Sequence, residues 1–163
     1  MSENVKIYVC CHKDYNDVGI DNSCYKLITK NNIKNNSKLN IIKIDKSLDD
    51  RMWSELSAIY YIWKHQELHS DWIGFNHYRR YFDFNGYGTK GFPTIPLETS
   101  HFEKADLNLN SSMFDYLEKG YVITAKETSL TMPLYYSYCG FHNYQELRYA
   151  LDYLILKDPD KYS

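Results

Sequence analysis

The chain has 163 residues, 44% of them hydrophobic and 17% aromatic, and its formal net charge at pH 7 is -2. This length favours one domain over residues 1–163, and the charge excludes a general nucleic-acid binder with a basic stripe. No apolar run approaches the ~20 residues of a membrane span, and the start lacks a signal-peptide pattern, so we expect a cytoplasmic protein. Peripheral association with a membrane stays open.

The first quarter of the chain predicts two strands and one element of uncertain type. The run VKIYVCC at residues 5–11 indicates a buried strand that opens into a polar loop at His12. Residues 24–29 form the uncertain element, residues 31–38 are an Asn-rich surface loop, and LNIIKI at 39–44 predicts the second strand. The four cysteines show no CxxC spacing, which excludes a zinc framework.

A long helix and a third strand follow. Residues 51–69 have a helical pattern, and either Asp49 or Asp50 is expected to cap the helix. Glu55 lies near the helix start, and WIGFNHY at 72–78 predicts a strand. The predicted apolar stripe of the helix comprises Met52, Leu56, Ile59, Tyr60 and Trp63.

The second half predicts a loop, a short helix, a strand and a last helix. Residues 83–96 carry Gly and Pro and predict a long loop, and residues 112–119 predict a helix that Gly120 caps. YVITA at 121–125 predicts the fourth strand, and a helix is expected from Asn143 to Pro159. The expected inner face of that helix is Leu147, Ala150, Leu151, Leu154 and Ile155.

This order of elements predicts an α/β domain with a mainly parallel sheet flanked by helices. The sequence contains no GxGxxG, P-loop, GxSxG or HExxH motif. Their absence argues against a Rossmann dehydrogenase, a P-loop NTPase, an α/β-hydrolase and a common metalloprotease.

Three polar clusters follow the first three predicted strands. They are His12–Asp14, Asp45 and Asn76–Arg80. Ligands of open α/β sheets bind beyond the carboxyl ends of the strands, so these clusters converge on one cleft if the strands are neighbours.

The third cluster has the richest chemistry. If the strand continues, alternation places His77 and Arg79 on one face and Asn76 and Arg80 on the other. Two guanidinium groups suit a polyphosphate, and His77 suits phosphate binding, metal binding or proton transfer. The alternative is a structural role, in which the arginines form ion pairs with Asp71, Asp83 or Glu55.

Other candidates have weaker signals. His12 is a candidate binding residue or a solvated loop residue, and Glu55 is a candidate carboxylate or a helix-stabilising charge. His142 precedes the last helix, where capping or packing is the alternative role. His65 and His69 have a metal-compatible spacing, but without an evident third ligand they are read as surface residues.

Two long segments resemble a family of capsular-polysaccharide and exopolysaccharide glycosyltransferases, many of which carry a domain-of-unknown-function label. MWSELSAIYYIWK at 52–64 is similar to the family's SELTALYWIWKN helix, and WIGFNHYRRYF at 72–82 is similar to its YIGLCHYRRYF strand end. The start, IYVCCHK at 7–13, resembles ILVACHK, and residues 141–162 resemble its Tyr- and His-rich later part. The resemblance therefore covers nearly the whole chain.

The resemblance implies a GT-A-like, Rossmann-like fold and transfer of a hexose from a nucleoside-diphosphate sugar to a glycan or lipid-linked glycan acceptor. GT-A enzymes usually hold a metal ion with an Asp-x-Asp motif, whereas the matching place here is Asn76–Tyr78. A Mn²⁺ or Mg²⁺ ion would thus need unusual ligands. The other expectation is that Arg79 and Arg80 neutralise the diphosphate.

The resemblance also implies roles for the candidate residues. Glu55, His77 and Asp45 are the expected catalytic residues. The expected substrate-binding residues are His12, Lys13, Asn76, Arg79, Arg80 and His142. Since family members usually run further, we expect an incomplete acceptor side. The alternative function is a non-catalytic nucleotide-sugar-binding or interaction domain of a larger protein.

Overall fold

The structure is a computed structural model that divides by contacts into two units, Met1–Lys126 and Glu127–Ser163. None of the helices among its described residues is both long and apolar enough to cross a membrane. The described residues are 5–20, 24–45, 55–86, 94–96, 102–121, 123–124 and 144–162.

In their described residues, the first unit carries a sheet and two helices, and the second unit is helical. The strands are β1 (Val5–Cys10), β2 (Tyr25–Thr29), β3 (Ile41–Lys43), β4 (Trp72–His77), β5 (Arg80–Phe82) and β6 (Thr94–Pro96). The helices are α1 (Leu56–Lys64), α2 (Ser111–Glu118), α3 (Tyr144–Lys157) and α4 (Pro159–Tyr162). Short 3-10 turns occupy Gln66–Leu68, Phe84–Gly86 and Phe102–Lys104.

The sheet has the strand order β3-β2-β1-β4-β5-β6. The first four strands are parallel, whereas β5 pairs antiparallel with both β4 and β6. The α/β class is confirmed, but the sheet is mixed rather than mainly parallel. The cause is a turn at Tyr78 and Arg79, which reverses the chain so that Arg80 pairs with His77. The strand β6 lies inside the predicted loop.

Strand register assigns each side chain to a face of the sheet, because paired residues point the same way. Val9 pairs with Leu27 and Asn76, so these three share a face, which packs on a core that includes Leu107 and Leu117. The opposite face carries Tyr8, Cys10, Ile28 and His77 and is covered by α1 through Ala58 and Ile62. His77 and Asn76 therefore lie on opposite faces.

Helix α1 ends earlier than predicted, and the side that it packs against the sheet is not the predicted one. It ends at Lys64, and the described side chains that it buries are Ser57, Ala58 and Ile62. The predicted inner stripe faces outward: Leu56 is 56% exposed and Trp63 is 63% exposed. The helix is apolar on several sides, so periodicity did not identify the packed face. Burial of Ile62, 1% exposed, contributes roughly 1.5–3 kcal/mol.

The two histidines at the end of α1 bind its carbonyl oxygens. His65 Nδ1 lies 2.8 Å from the carbonyl oxygen of Tyr61, and His69 Nε2 lies 2.7 Å from that of Ile62. Helix ends leave carbonyl groups with few helical partners, and these rings bind two carbonyl groups of the last turn, of which that of Ile62 also accepts the His65 backbone N–H at 3.2 Å. The predicted caps Asp49 and Asp50 lie outside the described residues.

Helix α2 follows the prediction closely. The Asn110 side chain accepts a hydrogen bond from the backbone of Met113, and Gly120 has a φ of 82° just past the helix end. The predicted strand at 121–125 is wrong in its described part, since Tyr121, Ile123 and Thr124 lie outside any strand. Ile123 packs against the core without pairing in the sheet, and an apolar run alone does not distinguish the two.

In the second unit, α3 does not bury the predicted inner face. Leu151, Leu154 and Ile155 are 42%, 38% and 37% exposed, Ala150 is exposed and Leu147 is half-buried. Helix α3 ends at Lys157, in agreement with the predicted end at Pro159. Pro159 itself opens the short helix α4, where a proline at the first position loses no helical hydrogen bond. Asn143 lies outside the described residues.

Three buried tyrosines join the loop after β1 and the segment around Leu107 to the sheet. The Tyr81 hydroxyl donates to the Tyr78 carbonyl oxygen at 3.0 Å, and its oxygen lies 3.0 Å from the Tyr15 hydroxyl. The Tyr25 hydroxyl donates to the Leu107 carbonyl oxygen at 2.7 Å. The contact between Tyr15 and Tyr81 holds the loop that follows β1 against the sheet.

Candidate functional site

The order of the parallel strands places an opening at the carboxyl ends of β1 and β4. The chain runs outward from β1 through β2 to β3, then returns to place β4 on the other side of β1. At such a switch point the connections leave in opposite directions and a crevice opens between them. Cys10 pairs with His77 there, and the rings of His12 and His77 have centroids 6.2 Å apart.

A cleft of about 340 Å³ lies at this edge of the sheet. Its size falls within the usual range for small-molecule sites, which combine apolar walls with a few polar groups. The apolar lining includes Cys10, Ile28, Ile44 and Ala58. The polar lining comprises His12, Thr29, Lys30, Asn31 and Glu55.

Glu55 and His77 form a carboxylate–imidazole pair beside the cleft. Glu55 comes directly before α1, but its side chain does not cap the helix, and Oε1 lies 3.3 Å from His77 Nε2. The backbone N–H of Arg79 donates to His77 Nδ1 at 3.1 Å. A nitrogen that accepts carries no proton, so neutral His77 holds its proton on Nε2 and donates it to Glu55.

The surroundings of His77 favour this neutral form. Burial lowers the pKa of His77, and the nearby positive charge of Arg79 lowers it further, while Glu55 acts in the opposite direction. Both ring nitrogens are therefore engaged, and Glu55 is the group of this pair that is able to accept a proton. Its side chain is 44% exposed, which a reacting hydroxyl group requires.

Tyr78 organises the turn next to this pair. It is 6% exposed, and its hydroxyl lies 3.4 Å from His12 Nε2, with the His12 ring edge-on to the Tyr78 ring at 4.8 Å. The Arg79 guanidinium group lies 5.4 Å from the centre of the same ring. Asn31 donates its amide N–H to the His12 carbonyl oxygen at 3.0 Å, which ties the ends of β1 and β2 together.

Arg79 and Arg80 are both exposed, and no carboxylate among the described residues forms an ion pair with either. Two of the three carboxylates that the structural alternative required, Glu55 and Asp83, have other partners. Glu55 contacts His77, and Asp83 Oδ1 accepts the backbone N–H groups of Asn85 and Asp106 at 3.0 and 3.1 Å. Within the described part of the chain, the two guanidinium groups are thus available to an anion.

The remaining predicted residues lie elsewhere. Asn76 is buried on the opposite face of the sheet from His77, and its Nδ2 has no partner among the described residues. Lys13 is exposed, and Asp45 is exposed and not among the described residues that line the cleft. His142 lies outside the described residues.

The sequence analysis did not identify three polar residues that line the cleft. Thr29, Lys30 and Asn31 stand at the carboxyl end of β2. Recognising residues 24–29 as a buried strand would have identified them, since the same rule that selected His12 applies at every parallel strand end.

A family profile described as "Domain of unknown function (DUF4422)" matches residues 6–163. The chain belongs to this family. No curated protein and no solved structure matches the chain significantly.

The described residues of this DUF4422 domain do not assemble a metal centre. No group of three His, Cys, Asp or Glu side chains among them is arranged to hold a metal ion. Where the resemblance described above aligns an Asp-x-Asp motif, the chain has Asn76 and Tyr78, so neither of the two chelating positions carries a carboxylate. Burial also raises the pKa of Cys10 to about 12, so its thiol stays protonated and does not act as a nucleophile.

Proposed function

We propose that this DUF4422 domain is a cytoplasmic, GT-A-like glycosyltransferase that moves a hexose from a nucleoside-diphosphate sugar to a glycan hydroxyl. The observation that carries the proposal is the cleft at the β1–β4 switch point, where the Glu55–His77 pair stands beside two arginines. A carboxylate able to accept a proton and cations able to bind a diphosphate are the two requirements of this transfer.

In the proposed reaction, Glu55 takes the proton of the acceptor hydroxyl. The hydroxyl oxygen bonds to the anomeric carbon of the hexose while the bond from that carbon to the diphosphate breaks, and the electron pair leaves with the diphosphate. Arg79 and Arg80 stabilise the charge that develops on this leaving group. His77 orients Glu55 through its Nε2 proton, a role that fits the engagement of its other ring nitrogen.

The cleft lining supports a donor site at the ends of β1 and β2. Lys30 is 9% exposed and lines the cleft together with His12 and Asn31. A lysine and a guanidinium group differ in how they bind phosphate: the first acts as a point charge and the second as a planar fork. The proposal therefore assigns Lys30 and the two arginines to the diphosphate, and Thr29 and Asn31 to the nucleoside.

A second candidate function is a nucleotide-sugar-binding module without turnover. The residues Asn76 and Tyr78 at the two carboxylate positions of an Asp-x-Asp motif favour it, because this domain then lacks the metal-chelating pair at the usual place. Release of nucleoside diphosphate from the sugar donors separates the two functions. Binding without any release, in the presence of Mn²⁺ and of glycan acceptors, supports the module.

The binding step is tested by calorimetric titration of the wild-type chain and the Arg79→Ala and Arg80→Ala variants with UDP, GDP and their sugars. Each variant is expected to weaken nucleoside-diphosphate binding by about 1.5–3 kcal/mol, the range of hydrogen bonds to charged groups. Arg148→Ala is the matched control, since Arg148 forms an exposed pair with Asp152 in the other unit. Equal affinities for all four proteins, with intact folds, contradict the proposed arginine clamp.

A further inference from the structure

A second cleft, of about 440 Å³, lies in the first unit away from the site described above. It is bounded by the loop after β1 and by the segment 102–108. Its apolar lining packs on the core face that carries Val9, opposite to the face covered by α1. The lining consists of Val18, Ala105 and Leu107, the ring of Phe102, and the polar side chains of Asp17, Glu103 and Asn108, with Gly19 at the edge.

Backbone hydrogen bonds hold this cleft in shape. Asp17 Oδ1 accepts the Gly19 backbone N–H at 2.9 Å, and Gly19 has a φ of 75°, which a side chain would disfavour. The Leu107 carbonyl oxygen accepts the buried Tyr25 hydroxyl, and the Phe102 ring stands edge-on to Tyr81 at 5.6 Å. A ligand would thus meet a preformed site and would order little of the chain on binding.

The charged side chains at this cleft and their arrangement disfavour two classes of ligand. No basic side chain is among the described residues that line it, so phosphate and carboxylate ligands would meet only the negative Asp17 and Glu103. A divalent cation is disfavoured as well, because no group of three His, Cys, Asp or Glu among the described residues is arranged for one. A neutral ligand rich in hydroxyl groups fits both the polar and the apolar side chains of the lining.

A pyranose ring is able to contact both the polar and the apolar side chains of the lining. Its hydroxyl groups donate short, strong hydrogen bonds to carboxylates such as those of Asp17 and Glu103. Its C–H groups are slightly positive and pack on the negative face of an aromatic ring such as Phe102. The Asn108 side-chain amide has both a donor and an acceptor group, which suits a further hydroxyl.

We propose that this second cleft binds a neutral pyranoside unit of a glycan. The further role of this cleft as the docking site of the acceptor glycan rests on the proposed transferase function. Saccharide binding itself does not depend on that function. The two clefts then hold different ligands: a nucleoside diphosphate at the carboxyl ends of β1 and β2, and a sugar on the opposite face.

The test is an NMR titration of the whole, ¹⁵N-labelled chain with the methyl β-glycosides of glucose, galactose and N-acetylglucosamine. Concentrations reach about 50 mM so that a Kd of about 1 mM or weaker is followed to saturation. We expect at least one glycoside to shift the amide signals of Gly19 and Asn108 in a saturable way. Glu103→Gln and Asp17→Asn are each expected to raise that Kd about tenfold or more.

Glu118→Gln, a change at an exposed carboxylate on α2, is the matched control and should keep the wild-type Kd. No saturable shift with any of the three glycosides overturns the proposal, as does a Kd that neither cleft variant changes. The proposal is also overturned if CaCl₂ shifts the amide signals of Gly19 and Asn108 and the glycosides do not. Titrations with UDP and GDP separate the two proposals. Glycoside binding without nucleotide binding supports the saccharide site and counts against the transferase. Nucleotide binding without glycoside binding supports the transferase and counts against the saccharide site.

Discussion

Both ring nitrogens of His77 have partners, and this decides which group beside the cleft can accept a proton. The sequence predicted both Glu55 and His77 as catalytic residues from their places near a helix start and a strand end. It could not reveal that the Arg79 backbone N–H occupies Nδ1, because that contact depends on the turn after β4. The structure thus supports unequal roles, with Glu55 as the base and His77 as the positioning residue.

Replacement of Glu55 by Gln tests these roles. Loss of a general base is expected to lower the transfer rate about 10²- to 10⁴-fold while nucleoside-diphosphate affinity changes little. The carboxylate is also the group that raises the pKa of His77, so this variant should lower that pKa further, as measured by NMR titration of the ring. Unchanged turnover with a lowered His77 pKa would show that Glu55 only supports the imidazole.

At the scale of the elements, periodicity located most helices and strands but not their packing. The strands β1 and β4 and the helix α2 were predicted well, since strong apolar runs and caps define them. The strand β5 was missed because alternation alone cannot reveal a reversal at Tyr78 and Arg79. The exposed side of α1 was predicted to be buried because Tyr, Trp and Ile occur on more than one side of this helix.

The N-terminal cap of α2 gives a prediction at this scale. Asn110→Ala removes the acceptor for the Met113 backbone N–H and should destabilise the fold by about 1 kcal/mol. Urea unfolding measures the change in the free energy of unfolding. The neighbouring control Ser111→Ala should stay within about 0.5 kcal/mol of wild type, as is usual for surface substitutions. A stable Asn110→Ala variant would show that Asn110 contributes nothing as a cap.

For the whole molecule, the strand order has a larger consequence than any single element. The switch between β1 and β4 brings together the ends of strands that are more than sixty residues apart in sequence, as the pairing of Cys10 with His77 shows. The sequence predicted this convergence only on condition that the strands were neighbours. The second cleft was not predicted at all, because its carboxylates and aromatic ring come from loops without a motif.

Global stability should fall on acidification because of His77. The pKa of this residue is lower in the folded state than its ordinary value of about 6.5, so the unfolded chain binds a proton first as the pH falls. The free energy of unfolding should therefore decrease below about pH 6.5, and His77→Gln should make this decrease smaller. Urea titrations of both proteins between about pH 7 and pH 5 measure the difference, and equal slopes would contradict it.

The tyrosine bonds between the loop after β1 and the sheet have a consequence at the other end of the pH scale. Burial raises the pKa of Tyr15 to about 12 and also raises the pKa values of Tyr25 and Tyr81. An unfolded chain gives up these protons near pH 10, so alkali favours unfolding. Because the tyrosinate ion absorbs at longer wavelength than tyrosine, the late ionisation of these rings makes ultraviolet absorbance an intrinsic, label-free reporter of the integrity of the core beneath the second cleft.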